Sequence, residues 1–231
     1  MPSLIDSWRD YARFLRRPEI LDPAGLKPPG NGRTWVHLLA LQLIGLVSLV
    51  PLLKLWQDRT GISAPEAFGQ IPPWIMIPGV VIAAPIIEEC LFRGWLTGRQ
   101  RALWLLLCAL VGAGALFAPI AKTMPLVAGG IILVALIAAI AGWIVLRKRA
   151  GPPGWFVDAF PVMYYLSVAL FAVAHLSNYG HPGLATLPMV LPQLWAGLLL
   201  GYVRLRISLP GSMAVHACSN GLMVALATIS G

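Results

Sequence analysis

Apolar runs the length of a membrane-crossing helix recur along this chain with almost no charge inside them, and that pattern constrains the fold more than any other feature. A helix needs about 20 predominantly apolar residues to traverse the hydrocarbon core of a bilayer. Segments 35–56, 73–97, 102–119, 124–146, 158–179, 184–203 and 208–229 all meet that need. Only 11% of the 231 residues are charged and 58% are hydrophobic, whereas an ordinary soluble domain is roughly a quarter charged. The expectation is an all-α, polytopic transmembrane helix bundle of about seven spans.

Basic residues outnumber acidic ones, 17 to 9. In a soluble protein that excess suggests a nucleic-acid partner; in a membrane protein it reports topology. Arg9, Arg13, Arg16, Arg17, Lys27 and Arg33 precede the first expected span. Arg93, Arg99 and Arg101 follow the second, Arg147, Lys148 and Arg149 the fourth, and Arg204 and Arg206 the sixth. An inside N-terminus places all of these in the cytoplasm and leaves Lys54, Arg59 and Lys122 outside. The pattern predicts a multi-pass protein of the cell inner (plasma) membrane, N-terminus in and C-terminus out. Its partners are then membrane lipid and a peptide or protein substrate, with no nucleic acid. Cys90, Cys108 and Cys218 all fall inside spans, which argues for free thiols. The first 30 residues lack the continuous apolar stretch of a removable signal peptide.

Residues 1–34 form a separate cytoplasmic segment, an amphipathic helix followed by a Pro/Gly linker. Ser3 and Asp6 have capping-box spacing, and Pro18 ends the helix. Leu4, Ile5, Trp8, Tyr11, Ala12 and Leu15 share one face, so the helix is expected to lie on an anionic leaflet. Residues 35–231 make up the transmembrane domain.

Ionisable groups inside that domain are few. Glu88 and Glu89 are the only acidic residues well inside a span, and His175 and His216 the only such histidines. The polar set concentrates in Glu88-Glu89-x-x-x-Arg93, Phe171-x-x-x-His175 and His216-x-x-x-Asn220. Intramembrane ionisable groups face the bundle interior or water, and function is the default hypothesis for them. Glu89 and Arg93 stand four residues apart, so an intrahelical ion pair accounts for both. Glu88 lies about 100° further round the helix and has no local basic partner. A carboxylate of this kind suits general-base activation of water, with histidine orienting it and a histidine–amide pair stabilising an oxyanion. One Glu and two His could equally hold a metal with an open water position. No His-Glu-x-x-His zinc helix and no Gly-x-Ser-x-Gly elbow occurs, and internal repeats of the kind transporters show are absent.

In residue types and order these motifs resemble the CAAX protease and bacteriocin-processing (CPBP, or abortive-infection) family of glutamate-type intramembrane proteases. Glu88, Glu89 and Arg93 match its first motif, Phe171 and His175 its second, and His216 and Asn220 its last. Gln193, Trp195, Gly197 and Gly201 resemble the small-residue helix between the second and last. The resemblance implies an intramembrane endopeptidase acting on a membrane-associated or exported peptide or protein. By the same resemblance Glu88 and His175 activate water, His216 and Asn220 form the oxyanion site, and Glu89, Arg93 and Phe171 support them. No cofactor is expected; in the metal-dependent alternative Glu88, His175 and His216 would hold zinc. The rival functions are a non-catalytic immunity or scaffold protein of the same fold, which usually loses a motif residue, and a proton-coupled transporter.

Two features depart from a simple match. The family places its second motif much closer behind the first, and the excess here is an extra helical hairpin, 102–146; a pair of spans preserves the orientation of everything after it. Untilted helices with these boundaries would also leave Glu88 and His175 about 15–20 Å apart in depth. The site therefore requires tilted helices or a kink at Pro85.

Overall fold

Proline and short polar stretches decide where the helices of this chain break. The computed structural model describes residues 2–62, 65, 72–149 and 151–230. Its longer helices are α1 (Leu4–Arg16), α2 (Asn31–Thr60), α3 (Ala84–Arg93), α4 (Gln100–Phe117), α5 (Pro125–Leu146), α6 (Phe160–Ala174), α7 (Leu191–Arg206) and α8 (Leu209–Ser230). No strand occurs among the described residues.

Among the described residues, five helical segments are long and apolar enough to cross a membrane: 31–60, 100–117, 125–146, 160–178 and 184–206. Of the seven expected spans, the two that fall short carry the first and last motifs. Segment 73–97 is broken into an α-turn at Pro73–Ile75, a π-helix at Met76–Ala83 and then α3. Segment 208–229 is one continuous helix, α8, but Ser212, His216, Ser219 and Asn220 dilute its apolar character. Polar chemistry has been placed on the helices least suited to lipid.

The chain divides into two compact units, residues 1–96 with 160–231, and residues 97–159. In the first, α7 is the central helix: Leu199, Leu200, Val203 and Leu205 have no exposed surface. Small residues let its neighbours approach, since a Cβ on Gly201 would stand 2.8 Å from the Tyr164 ring. Likewise a Cβ on Gly45 of α2 would meet the Trp195 indole at 2.3 Å, and that indole donates to the Gln42 carbonyl. This is the close packing that small residues permit between membrane helices.

α1 belongs to this unit and corrects the expected face. The capping box is present, with Asp6 N–H donating to Ser3 Oγ and Ser3 N–H to Asp6 Oδ2. The Ser3 hydroxyl also donates to that carboxylate, and it and the Ser3 backbone N–H hold Asp6 below its usual range. Yet the buried stripe is Ser7, Tyr11 and Phe14, while Leu4 and Ile5 are exposed. The helix is seated on protein: Phe14 packs on Tyr164 and Tyr202, Ser7 bonds to His37 Nδ1, and Trp8 donates to the His37 carbonyl. Aromatic partners on α6 and α7 turn the helix by roughly one residue from the face that periodicity selects.

The second unit contains a helical hairpin. Its helices α4 and α5 are joined through a short helix, Ile120–Thr123, and pack along their length. Trp104 donates its indole N–H to the Ala138 carbonyl at 2.7 Å, and Gly142 makes room for the ring.

Candidate active site

The polar centre of the first unit is assembled from α3, α6 and α8. Glu89 and Arg93 are buried on one face of α3, and Arg93 Nη1 donates to Glu89 Oε1 at 2.8 Å, the i, i+4 pair the spacing predicts. The structure adds two partners from α8. His216 Nδ1 lies 3.0 Å from the same Glu89 oxygen, and the buried Ser212 hydroxyl lies 2.5 Å from Oε2. Ser212 and His216 are four residues apart, so one face of α8 meets one carboxylate. Glu89 thus does more than neutralise Arg93: it orients the His216 ring.

Arg93 is also stacked on an aromatic platform, its guanidinium carbon 3.8 Å from the Phe171 ring centroid. A fully buried guanidinium with one carboxylate partner gains from the negative face of the ring. Phe171 contacts both histidines edge-on, with centroids 4.7 Å from His175 and 5.8 Å from His216. One side chain of α6 therefore spaces the two imidazoles and holds the arginine beneath them.

His175 stands where α6 gives way to a 3₁₀ turn, His175–Asn178. Its Nδ1 lies 2.7 Å from the Phe171 carbonyl. A carbonyl only accepts, so Nδ1 carries the proton and the lone pair of a neutral ring is on Nε2. The same logic applies to His216, whose Nδ1 donates to Glu89. Both Nε2 atoms then converge on Glu88 Oε2, at 3.9 Å from His175 and 3.7 Å from His216. These separations exceed direct hydrogen-bond length, and Glu88 Oε2 has no hydrogen-bond partner among the described residues.

The site thus offers three electron-pair-bearing atoms around one point. A small donor such as water, touching all three, fits separations just under 4 Å. Glu88 keeps 27% of its side chain exposed and His175 20%, against 5% for His216, while Glu88 Oε2 itself is buried. Among the described residues, no three His, Cys, Asp or Glu side chains form a metal-binding group.

Glu88, His175 and His216 are therefore brought together from three helices, with Glu89, Arg93 and Phe171 directly beneath them. Glu88 and His175 meet at 3.9 Å, with a π-helical lead-in before α3 and His175 at the end of α6, so the separation that untilted helices would leave is not present. Asn220, one turn beyond His216, donates from its amide to the Val80 carbonyl at 2.9 Å. Three supports lie outside the motifs. Ser212 braces Glu89, Ser167 donates to the Phe92 carbonyl at 2.6 Å, and Arg204 donates to the Arg93 and Gly94 carbonyls. Only Ser212 left a signal in the sequence, its four-residue spacing from His216; the other two contacts join segments distant along the chain.

An all-helical fold with several apolar, membrane-length helices, together with the family its sequence matches, defines a multi-pass membrane protein of the intramembrane protease class. The chain belongs to the Rce1-like family of type II CAAX prenyl endopeptidases, whose sequence pattern matches residues 70–160 and 150–222. No curated protein and no solved structure matches it.

Proposed function

We propose that this protein hydrolyses a peptide bond in a membrane-associated substrate, using water activated by Glu88. The observation that carries the reading is the approach of Glu88 Oε2 to both histidine Nε2 atoms, with no hydrogen-bond partner among the described residues. Water at that point donates one proton to Glu88 and the other to His175 Nε2, which turns its oxygen lone pair toward a substrate carbonyl. Glu88 takes the first proton as the C–O bond forms. Oxyanion stabilisation is assigned to His216, its ring oriented by Nδ1–H on Glu89, together with Asn220, whose amide has a second N–H beyond the one on Val80. Collapse of the tetrahedral intermediate breaks the C–N bond, and Glu88 passes its proton to the leaving amine.

The family supports a CAAX-type substrate, so the test is a fluorogenic peptide with a prenylated CAAX terminus and purified protein. Glu88→Gln preserves volume and removes the base. Turnover is expected to fall by about a hundred- to ten-thousand-fold with an unchanged melting temperature. Full activity in that variant would overturn the assignment. The basic-residue distribution supports seven spans with the N-terminus in the cytoplasm, in the cell's inner membrane.

A further inference from the structure

The π-helix before α3 has a fault that the rest of the chain repairs. Its bonds run from residue i to i−5, and at its end Ala84 N–H donates to the Gly79 carbonyl. The next donor in that register is residue 85 and the next acceptor is Val80. Residue 85 is proline, which has no N–H. The α-register donor for Val80 would be Ala84, already committed to Gly79. Val80 is thereby left without an intrahelical partner, in a segment where water is scarce and a lone carbonyl is costly. The Asn220 side chain supplies the missing donor from α8, with Nδ2 at 2.9 Å from the Val80 oxygen.

We propose that Asn220 is a positioning residue: its amide substitutes for the N–H that Pro85 lacks and tethers the helix bearing Glu88 to the helix bearing His216. The tether sits within about one turn of each reacting side chain, since Glu88 is three residues past Pro85 and His216 four before Asn220. Proline in a membrane helix persists where a neighbouring side chain satisfies the group it frees, and Asn220 fills that role here. The tether fixes how far Glu88 stands from the two imidazoles, so its loss moves the base. A displacement of about 1 Å suffices for a hundred-fold loss of rate.

Restoring the proline's missing donor tests the idea directly. Asn220→Leu keeps the volume and removes the donor; Pro85→Ala returns an N–H that can reach Val80. Wild type, both single variants and the double variant are compared by melting temperature in detergent and by kcat and KM on the prenylated CAAX peptide. Asn220→Leu is expected to melt several degrees lower and to lose about ten- to a hundred-fold in kcat, with KM nearly unchanged. Adding Pro85→Ala is expected to recover most of the lost melting temperature and the part of the kcat loss that comes from the tether, while Pro85→Ala alone stays close to wild type. Pro85→Ser supplies the same N–H and serves if the alanine variant folds poorly. An Asn220→Leu defect that neither proline replacement repairs, or an Asn220→Leu protein as stable and active as wild type, overturns the proposal. The kcat effect rests on the proteolytic reading, so Glu88→Gln is run alongside. If Glu88→Gln still cleaves, that reading falls, and the melting temperatures alone decide the tether.

Discussion

Replacing Glu89 with glutamine isolates charge from shape in the buried cluster. The glutamine carbonyl can still accept from Arg93 and His216, and its amide can donate to Ser212, whose own proton then goes to the Leu200 carbonyl 3.0 Å away. Hydrogen bonding is conserved on paper and only the negative charge disappears. Arg93 is then a guanidinium with essentially no exposed side chain, facing neutral acceptors and one aromatic ring. Removing one partner of a buried pair destabilises by about 3–5 kcal/mol. For a chain of this size each kcal/mol moves the midpoint by about 2–4 °C, so a drop of roughly 6–20 °C is expected. The assay is thermal unfolding in detergent of wild type, Glu89→Gln, and Glu89→Gln combined with Arg93→Met. The double variant removes the stranded charge while keeping the acceptor for His216, and should recover at least half of the loss. A Glu89→Gln protein that melts within a degree of wild type would show that the ion pair does not hold the helices together. A double variant less stable than the single would show that Arg93 acts through its ring stacking instead.

Two further expectations follow from topology and from the donor set. Reporter fusions after Arg149 should read cytoplasmic and fusions after Gly231 external; a cytoplasmic C-terminus would contradict the seven-span reading. Cleavage of the prenylated peptide is expected to survive strong chelation. Loss of activity on chelation, with recovery on adding zinc, would instead make Glu88, His175 and His216 zinc ligands.

The helical fold and most of the candidate site were legible in the linear chain because both rest on local rules. Apolar runs of membrane length announce helices whatever they pack against, and an i, i+4 spacing announces the Glu89–Arg93 pair on any α-helix. The absence of such a partner for Glu88 was equally local, and it singled out that carboxylate. What the sequence could not decide depends on distances between helices. Periodicity placed the apolar face of α1 toward a leaflet, but Tyr164 and Tyr202 draw Phe14 and Tyr11 inward and fix a neighbouring face. The second role of Glu89 requires α8 to lie against α3, so that Ser212 and His216 both reach it. The protonated nitrogens of the histidines likewise follow from partners on Phe171 and Glu89 that only packing supplies. Asn220 is the sharpest case. Spacing put it one turn from His216, which suits an oxyanion donor; that one of its amide hydrogens goes to Val80 follows only from the tertiary structure, because Pro85 withholds a hydrogen-bond donor that a helix in lipid cannot obtain from water.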